Sequence, residues 1–331
     1  MTLQLSELGL MSPEEKRNLL ALLIEDALLT PPATPEPTRP RSQPKRQEST
    51  PGLRFELLGP LAVRYGNVEF APSAPKLRAM IATLLFNANR SVAASALVRE
   101  LWENEPPRTS HATVQTYVFK LRKLFRDVLG VTTEYVNNEL LLTHSGGYTL
   151  LVADGQLDIE EFERLVIAGS AELRAGEYDK AAHNLRRSLA LWRGPVSPEL
   201  QWGMQLRAHS ARLEERRFYA QMMRIEADLC LGLHREMISE LASVVVEHPL
   251  HEPAHAMFMA ALYRSGRTSA ALDVFRRFRR QMLQELGMEP SARIQSLHLA
   301  LLRNDVLLDN RGLTSEMLLD RLGTAVHGRA A

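Results

Sequence analysis

The chain has 331 residues, 45% of them hydrophobic and 24% charged, with a formal net charge of only +1. That length exceeds one ordinary domain, and the composition suits chains that bury cores in water, so two domains are expected. The near-neutral balance excludes a whole-chain argument for nucleic-acid binding, and any such case has to rest on local charge.

Residues 12–29, SPEEKRNLLALLIEDALL, predict an amphipathic helix. Ser12 is its expected cap, Glu15 completes a capping box, and Pro13 takes the first helical position. Its apolar face suits a docking or dimerising helix as well as a packing extension of the neighbouring domain. The early acidic residues are unlike a signal peptide. No stretch reaches the roughly eighteen uncharged apolar residues that a spanning helix needs. A cytoplasmic, nucleoid-associated protein with no membrane partner is the expectation. Residues 30–52, rich in proline, cannot offset the entropy of ordering and read as a flexible linker. Arg39, Arg41, Lys45 and Arg46 in it are candidate DNA-backbone contacts, with a solvated linker the alternative.

Order begins at LRFELLGPLAVRYGNVEF (53–70), short β-prone runs separated by Gly59-Pro60 and by Gly66-Asn67, a strong hairpin signal. A helix follows, with Leu77, Met80, Ile81, Leu84 and Leu85 as its apolar set. SVAASALVRELW predicts another, capped by Ser91 or a neighbour, with Leu97, Val98, Leu101 and Trp102 inward. Glu105-Pro106-Pro107 stops it. A third helix is expected over about 109–129. The strand-like LLLTHSGGYTLLV (140–152) then turns at Ser145-Gly146-Gly147.

From 157 to about 302 the pattern is helical throughout. Gly176, Gly232 and Gly266 each precede an amphipathic helix, and the last two lie 34 residues apart, the period of tetratricopeptide helix pairs. Such pairs commonly present a groove to protein partners. The fold class expected is therefore an α+β winged helix-turn-helix domain (53–152) followed by an all-α tetratricopeptide-like domain (153–305). Residues 1–52 are expected to form an N-terminal helix and linker, and 306–331 a C-terminal extension with a helix near 314–323.

The segment RTSHATVQTYVFKLRKLFRDVLG (108–130) carries the functional signal. Val114, Val118, Leu121 and Phe125 recur at helical spacing and would fix one face to a core. Thr113, Thr116, Lys120, Lys123 and Asp127 form much of the opposite stripe. Five cations, Arg108, Lys120, Arg122, Lys123 and Arg126, stand against the single carboxylate of Asp127. Such a helix can enter a major groove, where threonine methyls meet thymine, Gln115 bonds adenine, and lysines reach guanine or phosphates. A basic stripe can also be a merely solvated face. Its place, third of three helices and followed by a glycine-tipped hairpin, is where a winged helix sets its recognition helix and wing.

FELLGPLAVRYGN, KLRAMIATLLFNANRSVAASALVRELW, EPPRTSHATVQTYVFKLRKLF and SGGYTLLV resemble the N-terminal domain of the Streptomyces antibiotic regulatory protein family. LDIEEFERLV, AAHNLRRSLALWRGP, VVEHPLHEPAHAMFMAALYRSGRTSAALDVFRR and ELGMEPSARIQSL resemble that family's bacterial transcriptional activation domain. The likeness covers roughly 53–302. It implies a transcriptional activator of secondary-metabolite (antibiotic) gene clusters that binds direct repeats in promoter DNA, often as a homodimer or paired monomers, and contacts RNA polymerase and its sigma factor. On the family's pattern Thr113, Gln115, Thr116, Lys120, Arg122 and Lys123 face DNA. Arg108 and the wing residues Thr143, His144 and Tyr148 lie where backbone contacts are expected. Phe119 departs from the family at a spot usually small or polar; it would pack on a thymine methyl or lie against the second domain.

Enzymes are the first rival class. Asp158, Glu160, Glu161 and Glu163 cluster at a helix start, where acidic groups favour the N-terminal dipole. His248, His251 and His255 lack a carboxylate or cysteine in ligand spacing, and Cys230 reads as a packed core thiol. No nucleophile-and-base set, cofactor loop or G-x-x-x-x-G-K-[ST] motif is found, so no catalysis, cofactor, metal or ATPase domain is expected, and no receiver domain. The other rival is a helical-repeat scaffold, with Arg276, Arg277, Arg279 and Arg280 as a basic face that is either solvated or a partner contact.

Overall fold

A computed structural model of the chain describes residues 52–103, 105–196 and 203–309. The expected helices at 12–29 and 314–323 and the linker cations lie outside the described residues.

Alternation of apolar and polar side chains builds the first sheet. In β1 (Leu53–Glu56) Leu53 and Phe55 point into the core, and β1 pairs antiparallel with β2 (Ala62–Tyr65), Phe55 opposite Val63. Gly66, at φ +57°, supplies the left-handed turn from β2 to β3 (Val68–Phe70). Next comes α1 (Pro75–Phe86), with Pro75 at its start and Leu77, Met80, Ile81, Leu84 and Leu85 all buried. Ser91 does not cap the second helix. A two-residue strand, β4 (Val92–Ala93), intervenes, and α2 (Ala94–Trp102) starts directly from it with no side-chain cap. The reason is pairing, since β4 joins the later hairpin as an edge strand.

The third helix, α3, runs Ser110–Leu129 and ends on Gly130 in the left-handed conformation. A helical turn and a π-turn (Thr133–Leu140) lead into β5 (Leu141–His144) and β6 (Gly147–Leu150), and the second sheet has the order β4-β6-β5. One core joins these parts. Phe125 of α3 meets Phe55 and Phe70 edge-on, each at 6.4 Å between ring centroids, so α3 is anchored to the first sheet by its inner face.

The rest is helical: α4 (Asp158–Arg174), α5 (Tyr178–Ala190), α6 (Met204–Cys230), α7 (His234–Glu247), α8 (Glu252–Arg264), α9 (Thr268–Leu286) and α10 (Ala292–Arg303). Gly176, Gly232 and Gly266, all at positive φ, turn the chain between α4 and α5, α6 and α7, and α8 and α9. The helices thus form three successive hairpins. The long α6 threads every apolar cluster: Leu206 joins the N-terminal core, Leu213 and Met223 pack with α4 and α5, and Ile225 and Leu229 pack with α7 to α10. Fully buried Asp228 pairs with Arg224 at 3.0 Å and with Arg186, and Arg224 reaches Glu240, so one ionic network ties α5, α6 and α7. Removing one member would strand a buried charge. Cys230 is buried, and burial pushes its thiol up to about 12, as a packed thiol requires.

Candidate nucleic-acid interface

The exposed face of α3 follows from its buried one. With Val114, Val118, Leu121 and Phe125 in the core, Gln115, Thr116, Phe119, Lys120 and Lys123 are turned to solvent. Thr113 is half-buried, and its hydroxyl donates to the Thr109 carbonyl at 3.0 Å; Thr116 does the same to Ala112 at 3.0 Å. Tyr117 of α3 stacks its ring on Trp102 of α2, with centroids 6.4 Å apart. Lys76 lies over that same indole at 4.6 Å and donates to the Leu101 carbonyl at 2.9 Å.

The five cations of this segment divide into two sets. Lys120, Lys123 and Arg108 are exposed and make no ion pair among the described residues. Arg126 donates to Asp127 at 3.0 and 2.7 Å, which neutralises much of its field. Arg122 is a brace: it donates to the Leu141 carbonyl at 3.1 and 2.6 Å and to the Thr143 hydroxyl at 2.8 Å, holding β5 against α3. Partial burial holds its guanidinium below the usual arginine range. A DNA-facing Arg122 would have to give up these bonds.

The hairpin tip brings Thr143 and His144 to the surface beside α3. Tyr148 does not join them. Expected to contact DNA backbone, it is only 8% exposed and belongs to the core, because β6 is the central strand of its sheet and is buried along its whole length. Gly147 allows this packing, since a Cβ there would sit 2.6 Å from the Val92 carbonyl oxygen. Asn89, at φ +63°, secures the far end, donating to the Val152 carbonyl and accepting from its N–H at 2.8 and 2.9 Å.

Two carboxylates join this region to the helices. Glu100 of α2, 4% exposed, accepts the N–H groups of Gln205 and Leu206 at 3.1 and 2.9 Å, capping the open end of α6. Its signal in the sequence is faint: a single acid on the apolar side of α2, beside Leu97 and Leu101. Asp158 accepts N–H groups from Leu57 (2.9 and 2.8 Å) and Leu58 (2.9 Å). Burial pushes its carboxyl up to about 6 against those bonds and the nearby Arg193 charge. Asp158 is therefore more than a dipole partner. His209 stacks on Phe86 at 4.8 Å, and Arg207 pairs with Glu103 at 2.6 Å at the same junction.

The remaining candidates serve the helices. His251 caps α8 by accepting from Ala254 N–H, and His255 stacks on Phe278 at 4.2 Å. Arg276 pairs with Asp273 at 2.9 Å and Arg279 with Glu289 at 2.7 and 2.6 Å, which leaves Arg277 and Arg280 on the basic face of α9. Among the described residues no helix is long and apolar enough to cross a membrane, and no group of three or more His, Cys, Asp or Glu could hold a metal.

Residues 157–302 match the bacterial transcriptional activator domain family. The chain is 38% identical over 260 residues to the regulatory protein DnrI of Streptomyces peucetius, covering 78% of this chain and 96% of that protein. It is 35% identical over 278 residues to the regulatory protein AfsR of Streptomyces coelicolor, covering 84% of this chain but 27% of AfsR. Among solved structures, Mycobacterium tuberculosis EmbR in complex with a low affinity phosphopeptide superposes with a TM-score of 0.72 at 31% identity, over 84% of this chain and 69% of that one.

Proposed function

The chain belongs to the Streptomyces antibiotic regulatory protein family of transcriptional activators, and from that premise we propose that it binds promoter DNA through α3 and recruits RNA polymerase through its helical region. Residues 53–152 act as a winged helix-turn-helix domain. In it α3 enters the major groove and the β5–β6 hairpin follows the backbone as a wing. The observation that carries this reading is the pair Lys120 and Lys123, exposed and without an ion-pair partner among the described residues, on a helix whose opposite face is locked by Phe125. Exposed cations on a helix face held by a packed core are what phosphate and guanine contacts require.

In solution the lysines reach phosphates or guanine acceptors, Gln115 and Thr116 meet base edges, and Arg108, Thr143 and His144 fix the register from the flanks. As in the family it belongs to, the site is a direct repeat, two copies of the chain binding side by side as a homodimer or paired monomers. The three helix hairpins from α4 to α9 then offer the surface for polymerase and its sigma factor, and the genes served are of the antibiotic-pathway class.

Enrichment of the full chain on random double-stranded DNA tests the reading. A repeated motif is the expected product. A folded, soluble protein that enriches nothing would instead favour a helical scaffold that docks on proteins.

A further inference from the structure

We infer that Phe119 is a specificity-determining residue, its ring taking the 5-methyl group of a thymine in the major groove. The inference rests on the reading of α3 as the recognition helix. All ten phenylalanines fall among the described residues, and Phe119 alone is exposed, at 68%. The rest sit in or against a core, so this ring is not spillover from packing. Among the described residues no part of the helical region covers it.

The neighbours of the ring decide what can cover it. One turn earlier on the same stripe are Gln115 and Thr116, and beside it or one turn later are Lys120 and Lys123, all exposed. No other large apolar side chain of α3 is exposed, so a protein partner with an apolar groove would gain one ring and desolvate two ammonium groups. A partner that offers one apolar group among hydrogen-bond acceptors and phosphates matches the stripe better. The major groove is such a surface, and the thymine methyl is its distinctive apolar feature. Flanked by lysines that hold the backbone and a glutamine that reads an edge, Phe119 distinguishes thymine from cytosine at one position of each half-site.

The experiment uses the full chain and the DNA site it enriches. Each thymine is replaced in turn by deoxyuridine, which removes only the 5-methyl group, and affinity is measured for wild type, Phe119→Ala and Phe119→Leu. At one thymine per half-site the wild type should lose about fourfold, the scale of one buried methyl-sized group. Phe119→Ala should be indifferent to that replacement, and Phe119→Leu intermediate. The exposed position lets these variants fold, which circular dichroism checks. If wild type and Phe119→Ala show the same deoxyuridine penalty at every thymine, the inference is overturned. Normal DNA binding by Phe119→Ala with lost transcription activation also overturns it, and assigns the ring to a protein partner. Lys120→Ala and Lys123→Ala separate the two levels. Weak binding by both beside a silent Phe119 cycle removes this inference alone, whereas normal binding by both, or no enriched site, removes the recognition-helix reading with it.

Discussion

The Glu100 carboxylate accepts the backbone N–H of Leu206 at 2.9 Å, so a helix of the N-terminal region caps a helix of the C-terminal one. The same carboxylate takes Gln205 N–H at 3.1 Å, and Gly203 packs against Glu100 so closely that a side chain there would overlap it. The two regions are joined through a shared polar element as well as apolar contact. The helix capped in this way, α6, supplies side chains to all three apolar clusters.

Glu100→Ala should therefore destabilise the chain by roughly 2–3 kcal/mol, combining a lost cap with buried donors left unsatisfied. Glu100→Gln keeps one acceptor and should lose about half of that. Denaturant unfolding of the three proteins measures the difference; an unchanged midpoint for Glu100→Ala would show that the cap is idle.

Arg122 and Lys120, two residues apart, should behave differently. Arg122→Ala removes the brace on β5 and should cost roughly 1–3 kcal/mol of stability, the range for hydrogen bonds to a charged donor. Lys120→Ala should leave the thermal midpoint in place and lower only DNA affinity. Thermal unfolding beside a binding titration tests both.

Gly147→Ala brings a Cβ to 2.6 Å from the Val92 carbonyl, a backbone atom that cannot step aside. Overpacking of this kind costs about 1–3 kcal/mol. The β4–β6 pairing should open, and the hairpin tip with it. Faster amide exchange at Tyr148 and weaker DNA binding are the expected pair of effects, whereas Tyr148→Phe should leave binding unchanged.

Asp158 gives the junction a pH dependence. Its folded carboxyl stands at about 6 against an ordinary 3.8, so the folded state holds the proton more tightly than the unfolded chain. The stability this contributes is complete below about pH 3.8 and is lost as pH rises through 6. A shift of this size corresponds to up to about 3 kcal/mol. Wild-type stability measured against Asp158→Asn should fall between pH 4 and 6 and level off above about 7, and a flat difference would contradict the assignment.

Much of this was legible before the fold. The apolar faces of α1 and α3, the Gly66-Asn67 turn and the three glycines between paired helices are local signals, because periodicity and positive-φ positions are written in neighbouring residues. Long-range polar contacts carried no such signature. Glu100 and Leu206 are far apart in sequence, as are Asp158 and Leu57, and only the folded chain brings each pair together. Ser91 read as a cap because a two-residue strand has no period. Arg122 and Tyr148 carry residue types that suit DNA, yet the β5–β6 hairpin takes one as a brace and the other as core.

Whether α3 reads DNA through Lys120 and Lys123 is decided by the salt dependence of binding at the enriched site. Wild type should show log affinity falling linearly with log salt. Lys120→Ala and Lys123→Ala should each weaken binding and, where the lysine meets a phosphate, reduce the slope by about one. Equal affinity and an unchanged slope in both variants, with the fold intact, would move the interface off α3.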